Sequence, residues 1–254
     1  MIDESLRLEG AGASDRGLVR GQNEDRFLLH PAAGLWVVAD GMGGHEAGAF
    51  AAGAIVDALA AMGRPRSAAG QRARFLDRLG RAHAEIQCRS EVLGGATIGA
   101  TVAAVLMHGR QLACVWAGDS RVYRLRAGQL AQMTTDHSEV QELVTAGALT
   151  REQALRWPRR NMLTRAVGVG TRPMTETLLD RVEPGDRYLL CTDGLTEEVA
   201  EARIAALVGR ATPAEACRRL VDAALAAGGG DNVTVVVLRV TAGPGARPPE
   251  GAAA

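Results

Sequence analysis

Lysine is absent from this chain. All 29 basic side chains are arginines, and 29 acids balance them to a formal net charge of zero. That removes a catalytic amine and a phosphate-binding lysine from consideration. It also leaves no global field to attract nucleic acid or an acidic membrane. Alongside the heavy use of Ala and Gly, it reads as the imprint of a GC-rich genome. Cysteine is sparse. Cys88, Cys114, Cys191 and Cys217 stand far apart without paired spacing, which argues against both a zinc site and a disulfide framework. Each reads as a small apolar filler. Long apolar runs are missing too: the longest uncharged stretch, Val92–Gly109, is interrupted by glycines and falls short of the ~20 residues a spanning helix needs. Met1 to Gly10 carries acids and no apolar core, so no signal peptide is expected there. The expectation is a reduced, cytoplasmic protein that engages neither nucleic acid nor membrane.

What is present is an ordinary globular composition, 47% hydrophobic and 23% charged over 254 residues, ample to bury a core. No internal repeat or linker interrupts it, so a single domain over residues 1–241 is expected. The Pro/Gly/Ala segment 242–254 is expected to be a disordered tail. Apolar residues recur at helical spacing from Ala47 to Met62, and again after Ser67 at Phe75, Leu76, Leu79, Ala82 and Ile86. Thr212-Pro213-Ala214-Glu215 predicts a capped helix in which Glu215 returns to the Thr212 amide. Shorter capped helices are expected at Asp136 and at Thr150. Strands are expected over Arg26–His30, Leu35–Ala39, Gly99–Met107, Gln111–Ala117, Arg121–Leu125, Thr175–Val182, Arg187–Cys191 and Asn232–Val240. Several follow one another through turns too short for a parallel crossover, so they pair antiparallel. Strand clusters broken by helix pairs make an α+β fold.

The acids stand where strands stop and start. Leu35–Ala39 runs into Asp40-Gly41, Arg187–Thr192 into Asp193-Gly194, and Cys114–Gly118 into Asp119-Ser120, while Asp231-Asn232 leads into an apolar strand. In antiparallel sheets one strand's end lies beside its neighbour's start, so these carboxylates can meet at one sheet edge. Each alone has a plain reading as turn chemistry. The surroundings of Asp40 decide against that, because Gly41, Gly43, Gly44, Ala47 and Gly48 crowd small residues around one acid directly before a helix. A turn does not require so many; room for an ion and its waters does. Carboxylates with few His or Cys partners select hard cations such as Mg²⁺ or Mn²⁺. One acid can bridge two ions about 3.5–4 Å apart, and a water between them is then a strong nucleophile near neutral pH. Hydrolysis of a phosphate ester is the chemistry best served.

The ordered blocks Asp15-x-Gly17-x-x-Arg20-x-x-Asn23-Glu24-Asp25, Val38-Ala39-Asp40-Gly41-Met42-Gly43-Gly44-His45, Ile98-Gly99-Ala100-Thr101 and Ala117-Gly118-Asp119-Ser120-Arg121 are followed by four more. These are Thr135-Asp136-His137-Ser138, Asn161–Gly168, Cys191-Thr192-Asp193-Gly194-Leu195 and Asp231-Asn232-Val233-Thr234. Together they resemble the bacterial branch of the protein phosphatase 2C (PPM) family, metal-dependent Ser/Thr protein phosphatases. The resemblance implies a four-layer α/β/β/α sandwich, two central antiparallel sheets flanked by antiparallel helix pairs, with the metal site at one sandwich edge. It implies that Asp40 bridges two Mn²⁺ or Mg²⁺ ions, that the Gly41 carbonyl binds one of them, and that Asp193 and Asp231 complete the other. By the same resemblance Glu24 and Asp25 hold metal-bound waters, Asp119 with Asp193 supports a third ion, and Arg20 binds phosphate through its guanidinium fork. The substrates implied are phosphoserine and phosphothreonine in proteins, with a bacterial Ser/Thr kinase in opposition and a monomer as the working form. The compact single-domain form resembles members encoded beside type VI secretion components.

Some positions depart from that pattern. Some relatives place a His after the first Asp-Gly; here Met42 stands there, so leaving-group protonation falls to metal-bound water. His45 is read as serving the helix entry, and Ala100 replaces the first Thr of the usual Gly-Thr-Thr. Residues 137–165 are expected to form a mobile flap in which Trp157 packs and Arg156, Arg159 and Arg160 make a solvated face. His30, His83 and His108 read as ordinary surface or helix positions. Two rivals remain weaker: a catalytically weak phosphoprotein-binding relative would lose a metal acid, and none is missing, whereas a two-metal nuclease fits neither the order of the blocks nor the neutral charge.

Overall fold

Alternation of apolar and polar residues disappears in a strand when neither face meets water, and the centre of this molecule is built from such strands. The computed structural model describes residues 5–44 and 46–243. In order these form β1 (Leu6–Asp15), β2 (Arg26–His30), β3 (Leu35–Ala39), β4 (Gly41–Met42), α1 (Glu46–Ala60), α2 (Ala68–Val92), β5 (Gly99–Ala100), β6 (Val102–His108), β7 (Gln111–Ala117), β8 (Arg121–Arg126) and β9 (Gln129–Gln132). There follow α3 (Glu139–Thr145), α4 (Arg151–Ala154), β10 (Glu176–Arg181), β11 (Arg187–Cys191), α5 (Asp193–Thr196), α6 (Glu201–Arg210), α7 (Pro213–Ala227) and β12 (Val233–Ala242). One sheet has the order β1-β12-β11-β8-β9 and the other β10-β7-β6-β3-β2, with every pairing antiparallel. The expected α+β sandwich is thus present.

Period-two geometry sorts the side chains into three apolar layers. In β3, Trp36 and Val38 point between the sheets, while Leu35, Val37 and Ala39 lie in the cluster under α1 and α2. In β12, Val236, Leu238 and Val240 join the central layer, and Val233, Val235 and Val237 lie in the cluster that includes α6 and α7. A one-residue slip would exchange the layers, so the register is strongly specified.

Ser67 and Thr212 cap α2 and α7 through the Gly70 and Glu215 amides, and Thr150 makes a full capping box with Gln153. Two caps differ from expectation. The Glu215 carboxylate pairs with Arg219 one turn on, at 2.5 Å, instead of returning to the Thr212 amide. Ser138, not Asp136, caps α3, because Asp136 is held by the Arg121 fork at 2.9 and 2.6 Å. The Gly99–Met107 run breaks at Thr101, so that β5 pairs with β4 while β6 joins the large sheet. Strands β1 and β9 and helices α5 and α6 carry no expectation from the sequence. In β1 the reason is spatial: a Cβ at Gly10 would stand 2.9 Å from Leu238, and one at Gly12 would stand 2.5 Å from the Phe27 ring. Small residues there make room for the large ones opposite and erase the strand signature. All four cysteines are free; Cys88 is exposed, against its reading as a filler, because it faces outward on α2. His45 and residues 244–254 lie outside the described residues; Ala242 closes β12, and the Gly243 amide donates to the Ser5 carbonyl at 2.7 Å. Among the described residues no helix is long and apolar enough to cross a membrane.

The pole where β11 begins is held by one buried carboxylate. Asp186 accepts from Arg126 Nε and Nη2 (2.7 and 2.8 Å), from the Glu183 amide (2.8 Å) and from the Tyr188 hydroxyl (2.9 Å). Burial alone would raise its pKa, but these donors outweigh it and hold the group below the usual carboxylate value. Its stabilising contribution is therefore complete above the unfolded carboxylate pKa of about 4 and is lost as pH falls through the lower folded value. Asp186→Ala should lower unfolding free energy by about 3 kcal/mol near neutral pH, since it strands buried donors. Denaturant melts should show the gap from the wild type narrowing below about pH 4, and a gap independent of pH would exclude this account.

Candidate metal centre

Because the strands alternate in direction, the ends of β3, β7 and β11 fall beside the starts of β2 and β12. Arg20, Glu24, Asp40, Gly41, Asp119, Asp193 and Asp231 line one cleft of about 580 Å³ at that edge. Asp25 lies behind its wall, 2% exposed. The expected site residues are thus brought together.

Each acid is set by its own local geometry. The Asp40 amide donates to Thr101 Oγ1 (3.0 Å) and the Thr101 amide to the Asp40 carbonyl (2.8 Å). The Thr101 and Ser120 hydroxyls share a hydrogen bond of 2.6 Å, which ties the Asp40 turn to the Asp119 turn. Ala100 contributes only backbone there, pairing with Gly41, so the change from Thr leaves the hydroxyl link intact. The Glu24 carboxylate fills the space over Gly48, where any side chain would collide with it. Asp25 Oδ2 accepts from the Thr192 hydroxyl (2.8 Å), which in turn accepts from the Thr234 amide (3.0 Å).

One residue read only as turn chemistry proves central. The buried Asn232 accepts from the Glu24 amide (2.8 Å) and donates to the carbonyls of Arg16 (2.8 Å) and Gln22 (2.9 Å). It clasps the loop that carries Arg20 and Glu24. Its partners are more than 200 positions away in sequence, so nothing local distinguishes it from a turn residue.

The electrostatics are those of crowded like charges. Burial, then repulsion from Asp25, Asp193, Asp119 and Asp231, pushes the Asp40 carboxyl well above its ordinary value. Burial and then Asp193 do the same to Asp119. Asp25 is pushed up to about 7 by burial, despite hydrogen bonds from Thr234 and Thr192. Asp193 is pushed up to about 6 by burial, Glu197 and Asp231. Oδ1 of Asp25 and Oδ1 of Asp193 are buried without a hydrogen-bond partner. Among the described residues the one cation lining the cleft is Arg20, 2.6 Å from Asp231. Among the described residues no three His, Cys, Asp or Glu side chains already stand in ligating geometry. Hard oxygen donors, mutual repulsion and orphaned carboxylate oxygens nevertheless suit small divalent cations, which relieve all three at once.

Residues 137–165 overhang one side, and Asn161, Met162 and Leu163 reach the cleft. Helices α3 and α4 bury no residue. Trp157 donates to Glu139 Oε1 (3.2 Å) within this segment. Arg156, Arg159 and Arg160 are exposed, as a solvated face requires, and on it Arg159 pairs with the same oxygen (2.8 Å) while Arg160 approaches Glu197 (3.8 Å). His137 anchors the segment's start: it stacks on Trp116 with centroids 5.9 Å apart and accepts from the Gly118 amide (3.2 Å). Burial, then Arg165, holds its pKa below the ordinary histidine value. His83 is buried and accepts from the Gly168 amide (2.9 Å), a clamp and not a surface position.

Comparison with known proteins bears on this arrangement. The family model described as Protein phosphatase 2C matches residues 10–227. The serine/threonine protein phosphatase PstP of Mycobacterium tuberculosis is 39% identical over 245 residues. That alignment takes in 94% of this chain and 46% of the relative, so this chain spans about half the relative's length. The catalytic domain of PstP, solved in complex with two manganese ions, superposes with a TM-score of 0.83 at 38% identity over 93% of this chain and 99% of that one. PppA, a regulatory component of the type VI secretion system in Pseudomonas aeruginosa, superposes with a TM-score of 0.85 at 37% identity over 92% and 97%. A match running through both sheets and every acid up to α7, joined to a shared fold at this level of identity, leaves one assignment: this chain belongs to the protein phosphatase 2C family.

Proposed function

We propose that this chain hydrolyses phosphoserine and phosphothreonine in proteins, using Mn²⁺ or Mg²⁺. The observation that carries the reading is the convergence of Asp40, Asp119, Asp193 and Asp231 with Arg20 on one cleft. Asp40, the Gly41 carbonyl, Asp193 and Asp231 would hold two core ions, with Asp40 shared between them, and Asp119 with Asp193 would hold a third. Bound cations supply a water-derived nucleophile near neutral pH and offset charge on the phosphoryl oxygens. Arg20, whose side chain is 56% exposed, is free to leave Asp231 and present its fork to a phosphate dianion. Glu24, which lines the cleft, and Asp25 behind its wall would help to orient waters bound to the ions. Met42 lines the cleft without a titratable group, so the chain itself offers no proton donor at that position. Residues 137–165 act as a mobile flap. The free cysteines are in keeping with a reducing cytoplasm, where the chain would work as a monomer opposing a Ser/Thr kinase.

Phosphate release from phosphopeptides should cease on chelation and return with Mn²⁺, more fully than with Mg²⁺. Activity that survives exhaustive chelation would show that the acids serve some other purpose.

The acids should separate by role. Asp40→Asn should abolish core-ion binding and turnover together. Asp119→Ala should keep tight core-ion binding and some hydrolysis of an activated aryl phosphate, while losing most activity on phosphoserine peptides, whose alkoxide needs far more help to leave. Calorimetry with Mn²⁺ and parallel assays on both substrates test this; equal loss on both contradicts the division.

Asn232→Ala should lower kcat/KM about 100-fold without touching a reacting atom, because it releases the loop that aims Arg20 and Glu24. Steady-state kinetics beside a thermal melt would reveal a purely structural role as a lowered Tm with kcat/KM intact.

A further inference from the structure

Two chemically unlike sets of residues line the catalytic cleft. One comprises Arg20 and the acids; the other comprises Met42, Met162, Leu163 and Val169. Met162 and Val169 are 48% and 39% exposed. Single apolar residues on a surface need no explanation, but these gather at one place. A Cβ added at Gly99 would lie 3.1 Å from Met42 Cε and 3.2 Å from Val169 Cγ2, so both side chains overhang the same glycine. Their support is rigid: Gly41–Met42 pairs with Gly99–Ala100, Ala100 bridges to Val167, and Ile98 beside them is 1% exposed. Met162 and Leu163 line the same cleft, and Leu163 bridges to Ser138.

This apolar patch shares the cleft in which Arg20 and the acids would receive a phosphoryl group. Whatever carries that phosphate therefore lays its neighbouring atoms against it. We propose that Met42, Met162 and Val169 form a substrate subsite that takes an apolar side chain adjoining the phosphorylated Ser or Thr. The inference rests on the phosphatase reading and adds a substrate class to it. Methionine is flexible and polarisable and adapts to differently shaped partners, so the preference is for apolar residues as a group and not for one of them. An acidic residue at that position loses this contact and would have to shed its hydration against an apolar wall.

The test uses the Mn²⁺-loaded protein and phosphothreonine peptides that differ only in the residues flanking the phosphothreonine, set to Leu, Met, Asn or Glu on either side. p-Nitrophenyl phosphate, which has no flanking residue, reports the catalytic centre alone. The expected result is a kcat/KM about tenfold higher for an apolar flank on one side, a ratio that collapses to about twofold in the M162S/V169S double variant. Both substituted side chains are exposed, so the variant's melting should follow the wild type. Turnover blind to the flanking residue, or a ratio that persists in the double variant, overturns the subsite alone. Failure of Mn²⁺ to support release from any phosphopeptide or from p-nitrophenyl phosphate overturns both the subsite and the phosphatase reading.

Discussion

Repulsion between carboxylates is the constraint around which this molecule is arranged. Two like charges about 4 Å apart repel by about 4 kcal/mol at the effective dielectric of a protein surface. A whole domain is stable by only about 5–15 kcal/mol. The acids at the cleft, with Asp25 behind them, are held together against that force by the two sheets, whose three apolar layers lie outside the site. Function and stability are thus separated in space. The strands supply the stability, and only their ends are spent on chemistry. Cations that bind the acids relieve the repulsion, so metal loading adds to stability as well as enabling catalysis.

The same residues recur as connectors between these ends. The Thr101 and Ser120 hydroxyls join the Asp40 and Asp119 turns, and Thr192 joins Asp25 to the first residues of β12. Neutral hydroxyls suit this work because they can donate and accept without adding charge to a region that already has too much of one sign. Asp186 shows the opposite solution at the other pole, where a lone carboxylate is surrounded by donors and its pKa falls. One type of side chain has opposite electrostatics at the two poles because its neighbours differ.

The acids were legible in the sequence because they end apolar runs, and the glycines around Asp40 marked the place where space was needed. Antiparallel pairing was legible from turns too short for a crossover, and the four layers from the resemblance carried by the ordered blocks. Other parts were not. Strand β1 pairs with β12 over its whole length, yet its Gly and Ala residues yield to Trp36 and Phe27 and leave no apolar pattern. Helix α6 starts at Ala200 without a side-chain cap and buries only Ile204 and Val208. Asn232 and His83 act through partners distant in sequence, and a polar residue's distant partner has no local signature. Asp136 illustrates competition: a good cap by type, it is claimed by the Arg121 fork instead.

The Asn232 clasp has a consequence for how the protein comes into being. Within the domain, the loop bearing Arg20 and Glu24 is synthesised well before Asp231, Asn232 and β12. Until β12 is made, β1 lacks its partner strand and the loop lacks the Asn232 clasp. A growing chain therefore carries most of the acids but no assembled centre. Completing the cleft therefore requires that the two ends of the domain join.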